Sequence, residues 1–341
     1  MSGPVVLEEG CAWTSSEVRD DYVWELTDED RAELVAALEH AEARTERTLD
    51  ITIDDFPLPS LGPKLNGVAG ELINGRGVVL IRGVPVDQLG PDRASAVYWG
   101  MGAHLGRPWP QNHKGHLLGD VTDQGRSGYD PTSRGNEIGG VAFPFHSDGS
   151  DLVGLFCLDP GASGGASLVA NAVSIHNELV RTAPDLAAEL YQPFAYDMRG
   201  EEQPGSKPWY LMPVFTQKAH RLFTRYIRPY ILSARRHPDA PAPSAAASEA
   251  MDTVDRMCAD PALHLSMQLR PGDMQFVNNY HVLHARDAYT DDRPNGRVRH
   301  LKRLWLETRV LTDDDKPDAF RLGATTGTWW EAARRRAAET A

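Results

Sequence analysis

Phe143-Pro144-Phe145-His146-Ser147-Asp148 is the stretch of this 341-residue chain on which its reading turns. A short apolar strand runs into a His-x-Asp triplet. Successive side chains of an extended segment alternate between faces, so His146 and Asp148 project to the same side, close enough to share one ion. Alone the triplet is weak, because a turn histidine hydrogen-bonded to a nearby carboxylate has the same signature. Weight comes from a second stretch much farther along, Pro271-Gly272-Asp273-Met274-Gln275-Phe276-Val277-Asn278-Asn279-Tyr280-His281-Val282-Leu283-His284-Ala285-Arg286. It reads as a turn, a strand, and histidines beside the next turn. Two imidazoles and one carboxylate on a single face of an octahedral ion, with the remaining positions open, form the ligand set of non-haem iron(II) oxygenases. His281 and His284 are three apart and fall on opposite faces of a regular strand, so one of them ligates and the other is an ordinary histidine.

A third stretch follows at Arg297-Val298-Arg299-His300-Leu301-Lys302-Arg303-Leu304-Trp305-Leu306. Arg299, Leu301, Arg303 and Trp305 share one strand face. A buried guanidinium needs an anion to offset its desolvation, and a small dicarboxylate held by Arg299 would supply it. Taken by itself, an arginine-rich strand is more simply a surface laced with ion pairs.

Around these stretches the texture is mixed. Thr27 caps a helix over 28–44, with Leu34, Ala37, Leu38 and Ala41 on its buried stripe. A short helix over 63–73, a buried strand over 77–83 and a helix over 91–105 follow. Residues 106–142 are rich in Gly, Asn, Asp and Pro, and so long a loop is expected to be a lid or binding segment. Short strands then dominate, at 143–146, 151–158, 167–172, 194–198, 211–215, 266–269, 274–278 and 300–309. A helix over 174–191 and another over 248–258 interrupt them. Residues 1–74 read as an N-terminal helical extension and 192–262 as an insertion between the two halves of the metal site. The whole of 1–341 reads as one domain.

Hydrophobic residues make up 41% and charged residues 24% of the chain, so disordered and coiled-coil readings fail. The net charge of -13 repels polyanions and argues against nucleic acid as a partner. Cys11, Cys157 and Cys258 are the three cysteines, an odd number with no CxxC pair, which fits a reducing cytoplasm better than a disulfide framework. No apolar run approaches the roughly 18 residues of a membrane span. Gly75-Arg76-Gly77 opens like a dinucleotide fingerprint, but residue 80 is leucine. Gly161-Ala162-Ser163-Gly164-Gly165 satisfies the GxSxG pattern of serine hydrolases; it runs into an alternating strand rather than the helix a nucleophile elbow requires.

Together the three stretches resemble the taurine dioxygenase (TauD/TfdA) and clavaminate synthase-like family of iron(II)- and 2-oxoglutarate-dependent dioxygenases. The resemblance runs from about Gly75 to Leu306 and includes Gly164-Gly165-Ala166-Ser167 and Arg299, fifteen residues after His284. It implies a mainly β fold with flanking helices, a double-stranded β-helix of the jelly-roll, cupin-like kind, with which the strand reading is compatible. It implies His146, Asp148 and His284 as iron ligands, choosing His284 over His281. By the same resemblance Arg299 and Ser167 bind 2-oxoglutarate, with O2 as second cosubstrate and succinate and CO2 as products. Relatives that halogenate carry a small residue in place of the carboxylate, so Asp148 implies hydroxylation, with desaturation or cyclisation as variants. Arg303, four residues beyond Arg299, is either a substrate anchor or structural.

The substrate is expected to be a small polar metabolite, of which amino acids and natural-product intermediates are the expected kinds. Expected wall residues are Asn112, His113, Arg126 and Tyr129 in the long loop and Asp151 past the triplet. Glu201, Tyr210, Arg225 and Tyr226 in the insertion and Arg303 complete the set. A homo-oligomer is compatible with the sequence. Two other readings stand beside the oxygenase: a serine hydrolase using Ser163, and a non-catalytic metal-binding protein on the same scaffold.

Overall fold

A computed structural model describes residues 4–7, 10–18, 20–127, 130, 132–326, 329, 330 and 332. Its centre is a pair of sheets. The larger has seven strands, in the order Val23–Glu25, Val78–Arg82, Met274–Asn278, Leu152–Asp159, His300–Thr308 and Gly106–Pro108, with Leu118–Val121 also paired to His300–Thr308. The smaller orders His264–Met267, Ser167–Asn171, Val282–Arg286 and Phe143–His146. Val153, Val277 and Leu301 of the larger sheet share one buried cluster with Val169, Leu265 and Val282 of the smaller. The two sheets therefore face each other as a double-stranded β-helix.

Alternation explains why the Val78–Arg82 strand is apolar almost throughout. Val78 and Leu80 point into the cluster between the sheets, whereas Val79 and Ile81 join the cluster beneath the outer helices. A strand covered on both faces has no solvent side to make polar. Asp28–Glu42, Leu61–Asn74 and Val86–Leu105 are among the helices whose apolar residues join that outer cluster. The first is closed by a capping box in which Thr27 and Asp30 exchange side-chain and backbone bonds, and it buries Leu34, Ala37, Leu38 and Ala41.

Several expected boundaries shift for local reasons. The helix expected from Pro91 begins at Val86, with a kink at Gly90, whose φ of 75° only glycine adopts readily. The single helix expected over 174–191 is two, Ala172–Thr182 and Pro184–Glu189, because Pro184 has no N–H to continue the ladder. Part of the long 106–142 loop is strand, Gly106–Pro108 and Leu118–Val121, added to the end of the large sheet. Residues 1–74 also contribute a strand, Val23–Glu25, parallel to Val78–Arg82. Between the two halves of the small sheet the chain forms hairpins Pro193–Asp197 with Trp209–Pro213 and Phe215–Lys218 with Arg221–Thr224, then the helix Ala245–Ala259.

Candidate active site

Strand pairing brings the histidines together. Phe143–His146 lies antiparallel to Val282–Arg286 with His146 directly opposite His284, and the two imidazole centroids are 4.2 Å apart. Asp148 lies just past the strand end, where its backbone N–H donates to Asn279 Oδ1 at 3.0 Å. Asn279 in turn donates to the Ser150 carbonyl at 2.9 Å, so the loop carrying Asp148 is stitched to the turn before His284. Ligand atoms of His146, Asp148 and His284 all lie within 4.8 Å of one another. His281, three residues earlier, sits buried in the turn before the strand and is not part of this group.

Each donor is prepared for a cation. His146 Nδ1 is 2.9 Å from the Pro144 carbonyl, which fixes the proton on Nδ1 and leaves the Nε2 lone pair facing Asp148 at 3.9 Å. His284 Nε2 is likewise 3.9 Å from Asp148. Burial, and next the charge of His146, push His284 down to about 3, so its imidazole is neutral. Burial opposes ionisation of Asp148, yet Arg303 and the two histidines hold its carboxyl well below the usual range. Trp305 Nε1 donates to Asp148 Oδ2 at 3.0 Å. Two neutral imidazoles and an ionised, oriented carboxylate fit a divalent iron.

Arg299, the buried arginine singled out in the sequence, lines the same cavity. Its side chain is buried, its backbone N–H is held by Asp291 Oδ1 at 2.8 Å, and its guanidinium lies over the Tyr289 ring at 5.3 Å. Its Nε has no hydrogen-bond partner among the described residues. Burial first, and Arg286 next, lower Arg299 to about 10, the condition of a cation awaiting an anion. Gly165 closes the turn beside it at φ 71°, and a side chain there would press on Tyr289 Cβ at 3.2 Å and Arg299 Nε at 3.4 Å. Ser167 follows in the same segment and donates to Gln275 Oε1 at 2.8 Å. The triad, Arg299 and Ser167 line one cavity.

Other expected residues divide. Arg303 lines that cavity with Nε on Gln111 Oε1 at 2.8 Å and Nη1 3.6 Å from Asp148. Glu201 lines it too, but its carboxylate is shared by Arg134 at 2.8 Å and His113 at 2.7 Å, tying the insertion to the long loop. Asp151 does not face the cavity. It is fully buried, salt-bridged to Lys316 at 2.8 Å and bonded to Tyr280 and to the Thr308 N–H, so its place is structural. Tyr226 also points away, its hydroxyl on Asp255 at 2.7 Å, because chain alternation sends its neighbours Arg225 and Ile227 into the cavity instead. Tyr129 lies outside the described residues. Asn112 spends its side-chain oxygen on the Lys114 and His116 N–H groups, and Arg126 pairs with Asp130.

Ser163 is exposed in a two-residue strand paired with Tyr289–Thr290, and a strand follows it, so the hydrolase reading loses its elbow. Sequence reasoning missed the C-terminal wall: Phe320, Leu322 and Trp330 line the cavity although nothing in their spacing marks them. It also missed Gln111 and Gln275, single amides whose role appears only through their partners.

Residues 39–305 match the model of the taurine catabolism dioxygenase TauD, TfdA family. FR-33289 synthase of Streptomyces rubellomurinus is 32% identical over 300 residues, covering 86% of this chain and 88% of that protein. The taurine hydroxylase-like protein SAT17 of Stachybotrys chartarum is 28% identical over 328 residues, covering 93% of this chain and 82% of the relative. Among solved structures, asparagine oxygenase with Fe(II), 2S,3S-3-hydroxyasparagine and succinate superposes with a TM-score of 0.66 at 20% identity, over 86% of this chain and 98% of that one. The non-haem iron oxygenase OrfP with Fe and alpha-ketoglutaric acid gives 0.60 at 18% identity, over 84% and 93%. The chain belongs to the TauD/TfdA family and is an Fe(II)- and 2-oxoglutarate-dependent oxygenase.

Proposed function

We propose that His146, Asp148 and His284 hold the iron, that Arg299 and Ser167 anchor 2-oxoglutarate, and that the enzyme hydroxylates a C–H bond of a small polar metabolite of natural-product or amino-acid type. The observation that carries this is the convergence, in one cavity, of a preorganised two-histidine, one-carboxylate set with a buried arginine Nε lacking a partner. Support for the substrate class comes from the relative called a synthase and from the neighbour whose structure holds a hydroxylated amino acid.

When bound, the iron supplies dioxygen activation coupled to decarboxylation of 2-oxoglutarate to succinate. The chain's own residues do the rest. Pro144 fixes the tautomer of His146, and Trp305 donates to Oδ2 of Asp148, orienting the carboxylate with Oδ1 toward His146 and Oδ2 toward His284. Arg299 receives the distal carboxylate. Ser167 can donate to that carboxylate once the Gln275 amide turns its NH2 toward the serine oxygen, so Gln275 sets the direction of that proton. Phe143, Val153 and Leu301 make an apolar wall that excludes water. Arg134 and Asn136 of the long loop and Glu201 of the insertion, tied through the Arg134–Glu201 and His113–Glu201 pairs, border the site in this reading. Cys157 and Cys258, buried and outside any disulfide, support a reducing compartment, the cytoplasm in this reading. No helix among the described residues is long and apolar enough to cross a membrane.

Anaerobic titration of the metal-free protein with iron(II) and then 2-oxoglutarate tests the assignment. A visible charge-transfer band is expected in wild type and absent in His146→Ala. No band from folded wild-type protein would overturn it.

A further inference from the structure

Trp305 is held at more points than its bond to Asp148. Its Nε1–H donates to Asp148 Oδ2 at 3.0 Å, and the benzo edge of the same indole lies on the next residue, where a Cβ added to Gly149 would meet Cζ3 at 3.4 Å and Cη2 at 3.5 Å. One ring therefore rests on two consecutive residues of the metal-binding loop. Two further groups flank it: the Arg303 guanidinium, 5.2 Å from the ring centroid, and the indole of Trp330, stacked at 6.4 Å with 25° between the planes. Arg303 comes from the same strand as Trp305. Trp330 comes from near the end of the chain and reaches this place only when the C-terminal segment lies across the cavity.

The way that segment is held gives Trp330 its weight. Its root is fixed: Lys316 pairs with buried Asp151, the Lys316 carbonyl accepts from Lys218 Nζ at 2.7 Å, and the Phe320 ring packs with Phe223 and Tyr280 at centroid distances of 5.6 and 5.9 Å. Beyond it the sequence runs Gly323-Ala324-Thr325-Thr326-Gly327-Thr328, small side chains with little apolar surface to bury. Ala324 and Thr325 are exposed. Trp330 is buried again, in the apolar cluster between the sheets with Trp109, Val121, Val153 and Leu301. Its Nε1–H donates to the Glu201 carbonyl at 3.4 Å, and the Glu201 carboxylate holds the long loop through Arg134 and His113. Trp330 thus seats the C-terminal segment where the insertion and the long loop already meet.

We propose that Trp330 is a positioning residue for the metal site: by stacking on Trp305 it holds the indole N–H on Asp148, so that the carboxylate is fully oriented only with the C-terminal segment across the cavity. An indole with that flank open has other rotamers within reach, and each of them withdraws the donor from Oδ2. Covering the cavity and completing the ligand set are then one event. This inference rests on the reading of His146, Asp148 and His284 as iron ligands.

The test titrates iron(II) into metal-free protein, anaerobically and at saturating 2-oxoglutarate, and follows the charge-transfer band. Trp330→Leu keeps apolar bulk but loses the flat ring, and is expected to bind iron about three- to tenfold more weakly, the scale of one aromatic pair, whereas Trp330→Phe can still stack and stays within about twofold of wild type. In a Trp305→Phe background, where the bond to Asp148 is already gone, Trp330→Leu adds no further loss, since non-additivity marks residues that act through one another. Circular dichroism of metal-free protein gives a second readout. Stacked indoles couple their transitions, and the far-ultraviolet couplet expected of wild type disappears in Trp330→Leu and in Trp305→Phe alike. Wild-type iron affinity in Trp330→Leu, an equal iron penalty in both backgrounds, or a couplet that is missing from wild type or survives both substitutions overturns the proposal. A Trp330→Phe protein as weak as Trp330→Leu places the effect in the Glu201 bond and overturns the stacking route. Should Trp330→Leu fail to fold, Trp330→Met takes its place under the same criteria. Wild type that shows the couplet but takes up no iron overturns the metal assignment itself, and the positioning role falls with it; wild type that takes up iron while the variants match it overturns the positioning role alone.

Discussion

Lys316 Nζ lies 2.8 Å from Asp151 Oδ2, and both side chains are almost wholly shielded from solvent. This ion pair joins the C-terminal wall of the cavity to the residue three positions beyond Asp148. Tyr280 and the Thr308 N–H complete the coordination of the Asp151 carboxylate.

Removing one member of a buried pair leaves the other uncompensated, at a cost of about 3–5 kcal/mol. Lys316→Met is therefore expected to lower unfolding stability by that order in chemical denaturation at neutral pH. Burial raises the Asp151 pKa and Lys316 opposes the rise. A raised carboxyl contributes stability below its unfolded value that is lost as pH climbs through the folded one. The Lys316→Met deficit should thus shrink as pH falls toward 4, and an unchanged deficit would refute this account.

Trp305→Phe keeps the ring packing but deletes the 3.0 Å bond to Asp148. Loss of a group that orients a metal ligand weakens metal affinity about 10- to 100-fold. Iron(II) titration followed by the charge-transfer band should show this, while 2-oxoglutarate affinity at saturating iron stays within a few-fold. Equal iron affinity would show that Trp305 only fills space.

Arg299→Gln removes the residue proposed to receive the distal carboxylate of 2-oxoglutarate. Truncating one side of a buried charge pair costs about 2–5 kcal/mol, so half-saturation by 2-oxoglutarate should rise by about thirtyfold or more. The same variant should bind iron as wild type does. A normal 2-oxoglutarate requirement would place the distal carboxylate elsewhere.

His281 is buried and is pushed down to about 4, first by burial and then by Arg221. A depressed histidine contributes stability above its unfolded pKa of about 6.5, lost as pH falls through the folded value, here on the order of 3 kcal/mol in all. Metal-free wild type should lose stability between pH 6.5 and 4, and His281→Phe should show a flatter dependence there. Parallel curves for the two proteins would contradict the assignment.

The strands that carry the chemistry are legible in the order of residues alone. His146 and Asp148 share a side because extended chain alternates, and the apolar run at 78–81 reads as a buried strand. The same order shows that Ser163 precedes a strand and so lacks the helix an elbow needs. Those features depend on neighbours along the chain, and periodicity records them. Tertiary structure decided what depends on neighbours across it. Pairing register set His146 opposite His284 and left His281 in a turn. Only the fold could show that Asp151 belongs to Lys316 and Tyr226 to Asp255, since burial and partner choice are set by segments distant in sequence.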